Sequence, residues 1–420
     1  YCSEDFSYDE DIDGDVINDA VFNRNTALET KYNVVLKVVE AESGTVETMI
    51  KNDVDGGTKA YDIVMPYIRS AATLSLSGYL LDLSAYDTID LSKPWWDQNF
   101  VSTVTMNGSL FLGSGDISLL NKICATAVSF NKEMITTYSL SNPYELVKNG
   151  TWTLDAMSEM GRSVISDDGD GVLQYEGHDI FGLSSSYGDG INYYIGCNQN
   201  LCLKDENDYP YIAIGSVESI DIVQNIVTML SQDWVIHAQE MGTDNIWDSS
   251  LKIFSEGRAL FRTNAFSANK KLRDTTVNFG IVPLPKASED QDGYYSFVAT
   301  NNTVICAAIT AGCQDDEFAA YMLEAAAVEG KNYLTPAYID ISLMQRDTRD
   351  DESQEMIEII FANFRYDLNH IYNFGLSNVL QTLVQNGTPN EITSLLAENK
   401  SAVETKIDDV MEEVNKWSGR

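Results

Sequence analysis

Two short apolar runs in this chain stop on proline: YDIVMP (61–66) and NFGIVPLPK (278–286). Proline fixes φ and removes a ladder donor, so neither run can continue as a central strand beyond that point. Each reads as a strand whose exit follows a short, fixed path. Around the first run the pattern alternates. Val16, Ala20, Val21 and Leu28 recur at helical spacing after a cluster of aspartates suited to capping and to the helix dipole. The β-branched run YNVVLKVVE (32–40) reads as a strand, TVETMIKND as a helix, YDIVMP as a second strand, and the next helix stops at Gly78. This β-α-β-α order predicts an open sheet flanked by helices, with ligands beyond the carboxyl ends of its strands. Pro66 and Tyr67 therefore fall where a pocket is expected.

The same grammar continues. ATAVSFNKEM (125–134) is a strand entering a helix, and TWTLDAMSEMGRSVI (151–165) is a helix with Thr153 as its cap. SVESIDIVQNIVTMLSQD (216–233) is a long amphipathic helix. Residues 248–266 read as a helix, a stop at Gly257, a strand over 258–263 and a turn. TVICAAI (303–309) is one more strand, DEFAAYMLEAAAVEG (316–330) a helix, and the chain beyond Asp350 is almost wholly helical.

At 420 residues the chain is too long for one core, so two or three units are expected. Its formal net charge of −37 and the lack of any basic cluster denser than NKKLR (269–273) argue against nucleic acid or anionic membrane as a partner. No apolar run reaches the length of about 18 residues that spans a bilayer. The acidic opening, YCSEDFSYDEDIDGD, carries no secretion signal, which leaves a cytosolic protein or a mature chain. Six cysteines include two close pairs, Cys197 with Cys202 and Cys306 with Cys313, neither at zinc-ribbon or thioredoxin spacing. The first pair reads equally as a local disulfide or as free thiols, and the second as free, because Cys306 lies in an apolar strand. The three histidines are scattered, and no G-x-S-x-G elbow or P-loop is present.

AVSFNKEM, GTWTLDAM, FSEGRALFRTNAF and NFGIVPLPK follow one another in an order similar to that of the extracellular solute-binding proteins of bacterial ABC importers, the family that includes maltose-binding protein. A narrower resemblance, to lipoprotein members from Gram-positive bacteria, rests on INDAVFNRNTALETKYNV (17–34), KPWW (93–96), NPYELVKNGTWTLD (142–155), RDDESQEMIEIIFAN (349–363) and LNHIYNFG (368–375). The resemblance covers essentially the whole chain. It implies an α/β fold of the periplasmic-binding-protein-like type II, two α/β lobes joined by a hinge with a ligand cleft. The expected lobes are residues 1–121 with 298–340, and 122–297 with 341–420. FGIVPLPK would end a strand of the second lobe, and EDQDGYYSFVATNN would carry the chain back to the first. A proline-stiffened exit then marks where the hinge begins.

By this resemblance the ligand meets loops at the strand ends, where aromatic rings stack on sugar faces. The expected contacts are Tyr67, Arg69, Asp116, Tyr187, Asn264, Phe266 and Tyr338, with Trp234 and Trp247 as further rings on the second lobe. Trp95 and Trp96 read as a packing plug or as one ring facing the cleft. The expected activity is non-enzymatic: capture of a small solute, foremost an oligosaccharide, by lobe closure, and delivery to a membrane permease. A peptide or other charged solute held by Arg69 or Asp116, a sensing role, and a carbohydrate-active enzyme with paired carboxylates are the alternatives. The resemblance further implies a monomer outside the cell, anchored by lipid, although Tyr1 does not suit the position before a lipidated Cys2. No cofactor is required. The loop ISDDGDGVLQYEGHDIFGL (165–183) reads as a structural calcium site formed by Ser166, Asp168, Asp170 and Asp179, or as an acidic turn that uses its glycines for positive φ.

Overall fold

The structure, a computed structural model, describes residues 5–9, 11, 14–42, 44–242, 245–272, 275–298, 304–339 and 351–419, with backbone alone at Asn269 and Lys270. Cys2 and the segment 299–302, expected to lead into the first lobe, lie outside the described residues.

Helix Val16–Tyr32 forms as its spacing predicts. Asp15 caps it by accepting the N–H groups of Ile17 and Asn18, and Asn33 ends it in the left-handed region at φ 53°. The next segment departs from expectation. Residues 34–40 pair with no strand among the described residues. Val35, Val38 and Val39 are 77%, 43% and 58% exposed, while Val34 and Leu36 turn in toward a core cluster. β-Branching favours extended backbone, but a strand is stabilised by its cross-strand neighbours, and this segment has none.

The first lobe is built around β1 (Ile63–Val64), which ends two residues before Pro66. Among the described residues the strands continue in chain order as β2 (Thr126–Asn131), β3 (Phe181–Ser185), β4 (Cys202–Lys204), β5 (Pro210–Ile212), β6 (Val235–His237), β7 (Ala259–Ala265), β8 (Phe279–Val282), β9 (Ser296–Phe297), β10 (Ala308–Ile309) and β11 (Phe364–Arg365). β1 pairs antiparallel with β10, Ile63 opposite Ile309, and single bridges Tyr67–Ile305, Leu80–Thr310 and Gly113–Ala307 extend that small sheet. Helices Val16–Tyr32 and Asp316–Pro336 pack together on this lobe. Trp96 is buried, and the indole N–H groups of Trp95 and Trp96 both donate to Glu324, at 2.9 and 2.8 Å, so KPWW is a packing plug.

The second lobe holds a five-stranded sheet in the order β6-β3-β7-β2-β8. β6, β3 and β7 are mutually parallel, and β2 runs antiparallel to both β7 and β8. β8 lies at the edge, where prolines are tolerated, and Pro283 follows it directly. The exit is then pinned: Trp152 donates its indole N–H to the Pro283 carbonyl, and Lys286 donates its N–H to the Trp152 carbonyl while accepting that of Leu154. Helix Leu154–Val164, capped by Thr153 as expected, lies on β3. Its approach is close because Gly161 faces both Gly182 and the Trp234 ring.

Among the described residues three stretches of chain, 125–126, 296–298 and 364–366, run between the sheets. These passages lie side by side. β9 pairs parallel with β11, Ala125 bridges Val298, and the Thr126 hydroxyl donates to the Phe297 carbonyl. The closing helix, Ile392–Trp417, reaches back across: Trp417 donates to the Leu76 carbonyl and packs against Gly78. Cys197, Cys202, Cys306 and Cys313 are free thiols, so the reading of Cys197–Cys202 as a disulfide is not realised.

Candidate functional site

In the second lobe the carboxyl ends of β3, β6 and β7 point to one edge of the sheet, because these strands are parallel. β3 ends at Ser185, and the chain turns at once through Tyr187–Asp189. Asp189 holds that turn from below, accepting the Ser185 hydroxyl and the Ser186 N–H at 2.8 Å each. Tyr187 is thereby raised at the strand end, half-buried. Its ring lies tilted at 45° against His237, the last residue of β6, with the centroids 4.7 Å apart, and its hydroxyl donates to Glu240 at 2.9 Å. Its N–H donates to the Gln239 side chain. Burial, then the Glu240 carboxylate, push the phenol up to about 12, so it remains a neutral donor. The His237 Nε2–H donates to the Leu230 carbonyl at 2.8 Å, which fixes the imidazole's orientation. His237 and Glu240 also line a cavity of 480 Å³ beside β6 that contains Glu176 and Asp233 and no lysine or arginine. Sequence reading singled out Tyr187 but not Gln239, His237 or Glu240. Their signal, a strand end followed by polar residues, was present but ordinary.

The first lobe contributes Tyr67 and Arg69. Tyr67 precedes helix Ile68–Leu76, bridges Ile305 and is half-buried. Arg69 donates to the backbone carbonyl of His370 at 3.0 Å, a contact from the first-lobe strand end to helix Leu368–Tyr372. Burial pulls the Arg69 guanidinium down from its ordinary range. His370 is held near 3 by burial and then by Arg69, so it stays neutral.

The remaining expected contacts are spent elsewhere. Asp116 is 7% exposed and is bonded to Lys122 at 3.0 Å and to the Thr335 hydroxyl at 2.6 Å, with Lys331 at 3.8 Å. It belongs to a buried ion network of the first lobe, because a buried carboxylate has to be paired. Phe266 is 2% exposed, edge-on to Phe361 at 5.3 Å, and is core. Tyr338 is buried within the main apolar cluster. Asn264 is buried on β7, accepting the Ser129 hydroxyl at 3.2 Å. Trp234 is buried against Gly161, whereas Trp247 is 60% exposed.

The acidic loop differs from the expected ligand set. Ser166 bridges Ile180, and the two oxygens of buried Asp179 accept the N–H groups of Asp168 and Gln174. Asp179 thus closes the loop itself. Three exposed carboxylates, of Asp167, Asp168 and Asp170, bring oxygens within 4.8 Å of one another. Each also accepts a backbone N–H of the loop: Asp167 from Gly169, Asp168 from His178, Asp170 from Val172. Asp167, which the spacing argument passed over, joins Asp168 and Asp170 in this cluster, and Ser166 and Asp179 stand outside it.

This architecture is the periplasmic-binding-protein-like type II fold, two α/β lobes joined by crossing strands, and it is shared with solved solute-binding proteins over nearly the full chain. A cyclo/maltodextrin-binding protein complexed with maltotetraose is similar with a TM-score of 0.62 at 13% identity, over 96% of this chain and 94% of that one. The ABC substrate-binding protein Lmo0181 from Listeria monocytogenes, in complex with cycloalternan, gives 0.58 at 11% identity, over 96% and 97%. The GacH receptor of Streptomyces glaucescens, solved unliganded and with acarbose, gives 0.55 at 13% identity, over 98% and 96%. No family model and no curated protein matches the sequence.

Proposed function

We propose that this protein captures a small solute, an oligosaccharide foremost, between its two lobes and hands it to an ABC permease, without making or breaking a bond. The observation that carries this reading is the pairing of the fold with the Tyr187 cluster. A half-buried ring, flanked by Gln239 and Glu240, stands at the strand ends that face the other lobe. A ring face with polar groups beside it suits a polyhydroxylated pyranose. The neighbours that bind maltotetraose, cycloalternan and acarbose support the sugar class. Ligand touching both lobes favours the closed form by its differential contact alone, and closure presents the surface a permease reads. No described helix is long and apolar enough to cross a membrane, and the reading places the protein outside the cell on a lipid anchor.

A thermal-shift and calorimetric panel of maltotetraose, cycloalternan, acarbose, single sugars, amino acids and short peptides tests it. A glycan at a hundredfold its dissociation constant adds about 2.7 kcal/mol of stability, and it must be recovered unchanged. Binding of peptides alone moves the cargo class to charged solutes, and cleavage of the glycan makes the protein an enzyme. The proposal also includes a calcium ion at Asp167, Asp168 and Asp170 as a brace for the loop. Calcium titration of chelator-stripped protein checks this, with heat release expected and its absence showing that Asp179 suffices.

A further inference from the structure

We infer that the cavity beside β6 is a second binding site, separate from the cleft between the lobes, and that its ligand is a linear polyamine. Its occupancy is independent of the cargo. β6 is an outer strand of the second-lobe sheet, so one of its edges is open to whatever lies beside it. The 480 Å³ cavity runs along that edge, and its size falls within the range of about 300–1,000 Å³ typical of small-molecule sites. Phe181 and Val235 line its floor. They begin β3 and β6, and these strands are parallel, so this part of the cavity lies at the opposite edge of the sheet from Tyr187. His237 and Glu240 mark the end nearest the cleft.

The charge on the wall has one sign. Glu176, Asp233 and Glu240 line it, with no lysine or arginine. Two helices also end there. Helix Val217–Leu230 stops at the wall, and helix Leu376–Asn386 stops beside it, close enough that a methyl on Gly387 would stand 3.4 Å from the Ser231 hydroxyl. Both dipoles place their negative ends where the carboxylates already stand. His237 points the same way. It is 5% exposed, its Nε2–H is committed to the Leu230 carbonyl, and its Nδ1 is buried with no hydrogen bond. The Glu240 N–H faces this ring in a capping arrangement but closes no bond. A buried acceptor without a donor is costly, and an ammonium N–H entering the cavity supplies the donor. The spread of the carboxylates then selects among cations. Among the described residues Asp167, Asp168 and Asp170 are the one trio whose ligand atoms gather within 4.8 Å, so no three of Glu176, Asp233, Glu240 and His237 converge on a single metal ion. A flexible chain with ammonium groups spaced along it reaches separated carboxylates, and its methylenes suit the apolar floor of Phe181, Leu230 and Val235.

The test is calorimetric titration of the whole protein with spermidine at about 150 mM salt, where a Debye length of about 8 Å weakens the general attraction of an acidic surface for cations. One saturable site per chain is expected. The double variant Glu176→Gln, Asp233→Asn should weaken it at least about tenfold. The double variant Asp409→Asn, Glu412→Gln removes the same charge from the exposed face of the closing helix and should leave the affinity within about twofold. Magnesium at the same concentration should not displace the spermidine. All four side chains are exposed, so these variants keep the fold. Spermidine carries no sugar, so the result is read whether or not any glycan binds. Binding without saturation, equal loss in the two double variants, or displacement by magnesium reduces the cavity to a diffuse counter-ion region and overturns the site.

Discussion

Gly161→Ala sets two physical effects of opposite sign against each other. Gly161 lies inside helix Leu154–Val164, and in an exposed helix interior alanine is better than glycine by about 1 kcal/mol. Here the added methyl would stand 2.5 and 2.6 Å from two carbons of the Trp234 ring, about 1 Å inside ordinary carbon contact. The ring has nowhere to go, being 2% exposed. The helix cannot back away without loss either, since it touches β3 so closely that a methyl on Gly182 would fall 2.4 Å from the Gly161 carbonyl oxygen. Overpacking typically costs about 1–3 kcal/mol, and a shift of this size belongs at the upper end. Subtracting the helix gain leaves a net loss of about 2 kcal/mol. Urea unfolding followed by circular dichroism should show a lower midpoint at unchanged slope. In a Trp234→Leu background, where the ring is gone, the same change should be neutral or stabilising. A Gly161→Ala protein as stable as wild type, or more so, refutes the packing argument.

Asp367 gives a pH prediction. It is fully buried and accepts the N–H of Leu201 at 2.8 Å, and burial outweighs its donors to push the carboxyl up to about 6. The unfolded carboxyl loses its proton near 4 and the folded one near 6, so the folded state binds more protons between them. Stability therefore falls as pH rises across that window, by about 3 kcal/mol at about 1.4 kcal/mol per unit. Asp367→Asn mimics the protonated form and should lose this dependence, so its stability relative to wild type should rise from pH 4 to pH 7; parallel curves refute the assignment. Native alkylation read by mass spectrometry should label Cys313, the half-buried thiol, and leave Cys197, Cys202 and Cys306 untouched until the chain unfolds. For binding, Tyr187→Ala should weaken the glycan found in the panel at least about tenfold, while Phe266→Ala, deep in the core, should lower the melting temperature instead.

Elements with strong local signals were legible in the sequence. Thr153 capped its helix, Gly257 ended another, and Pro283 closed an edge strand, because each acts through its own backbone. What was misread depends on a distant partner. Residues 32–40 carried the right propensity, but whether an extended segment becomes a strand is decided by what lies beside it. Asp116 was expected in the cleft by the family resemblance alone. Its occupation by Lys122, Lys331 and Thr335 joins positions up to 219 residues apart, which no spacing reveals. Phe266 and Trp247 are both aromatic residues next to the second-lobe sheet, and only packing separates the buried ring from the exposed one.

The three passages between the lobes lie next to one another and are cross-linked: β9 to β11, Ala125 to Val298, Thr126 to Phe297. A single flexible linker would let one lobe wander in any direction relative to the other. Three ribbons tied in a row, two running parallel and one antiparallel to them, behave like the leaves of a door. They bend together about one line and resist twisting and sideways sliding, because either would break ladder bonds between them. The same mouth must therefore meet the same rim at every closure, so the accuracy of lobe-to-lobe registration comes from the connectors and not from the cargo.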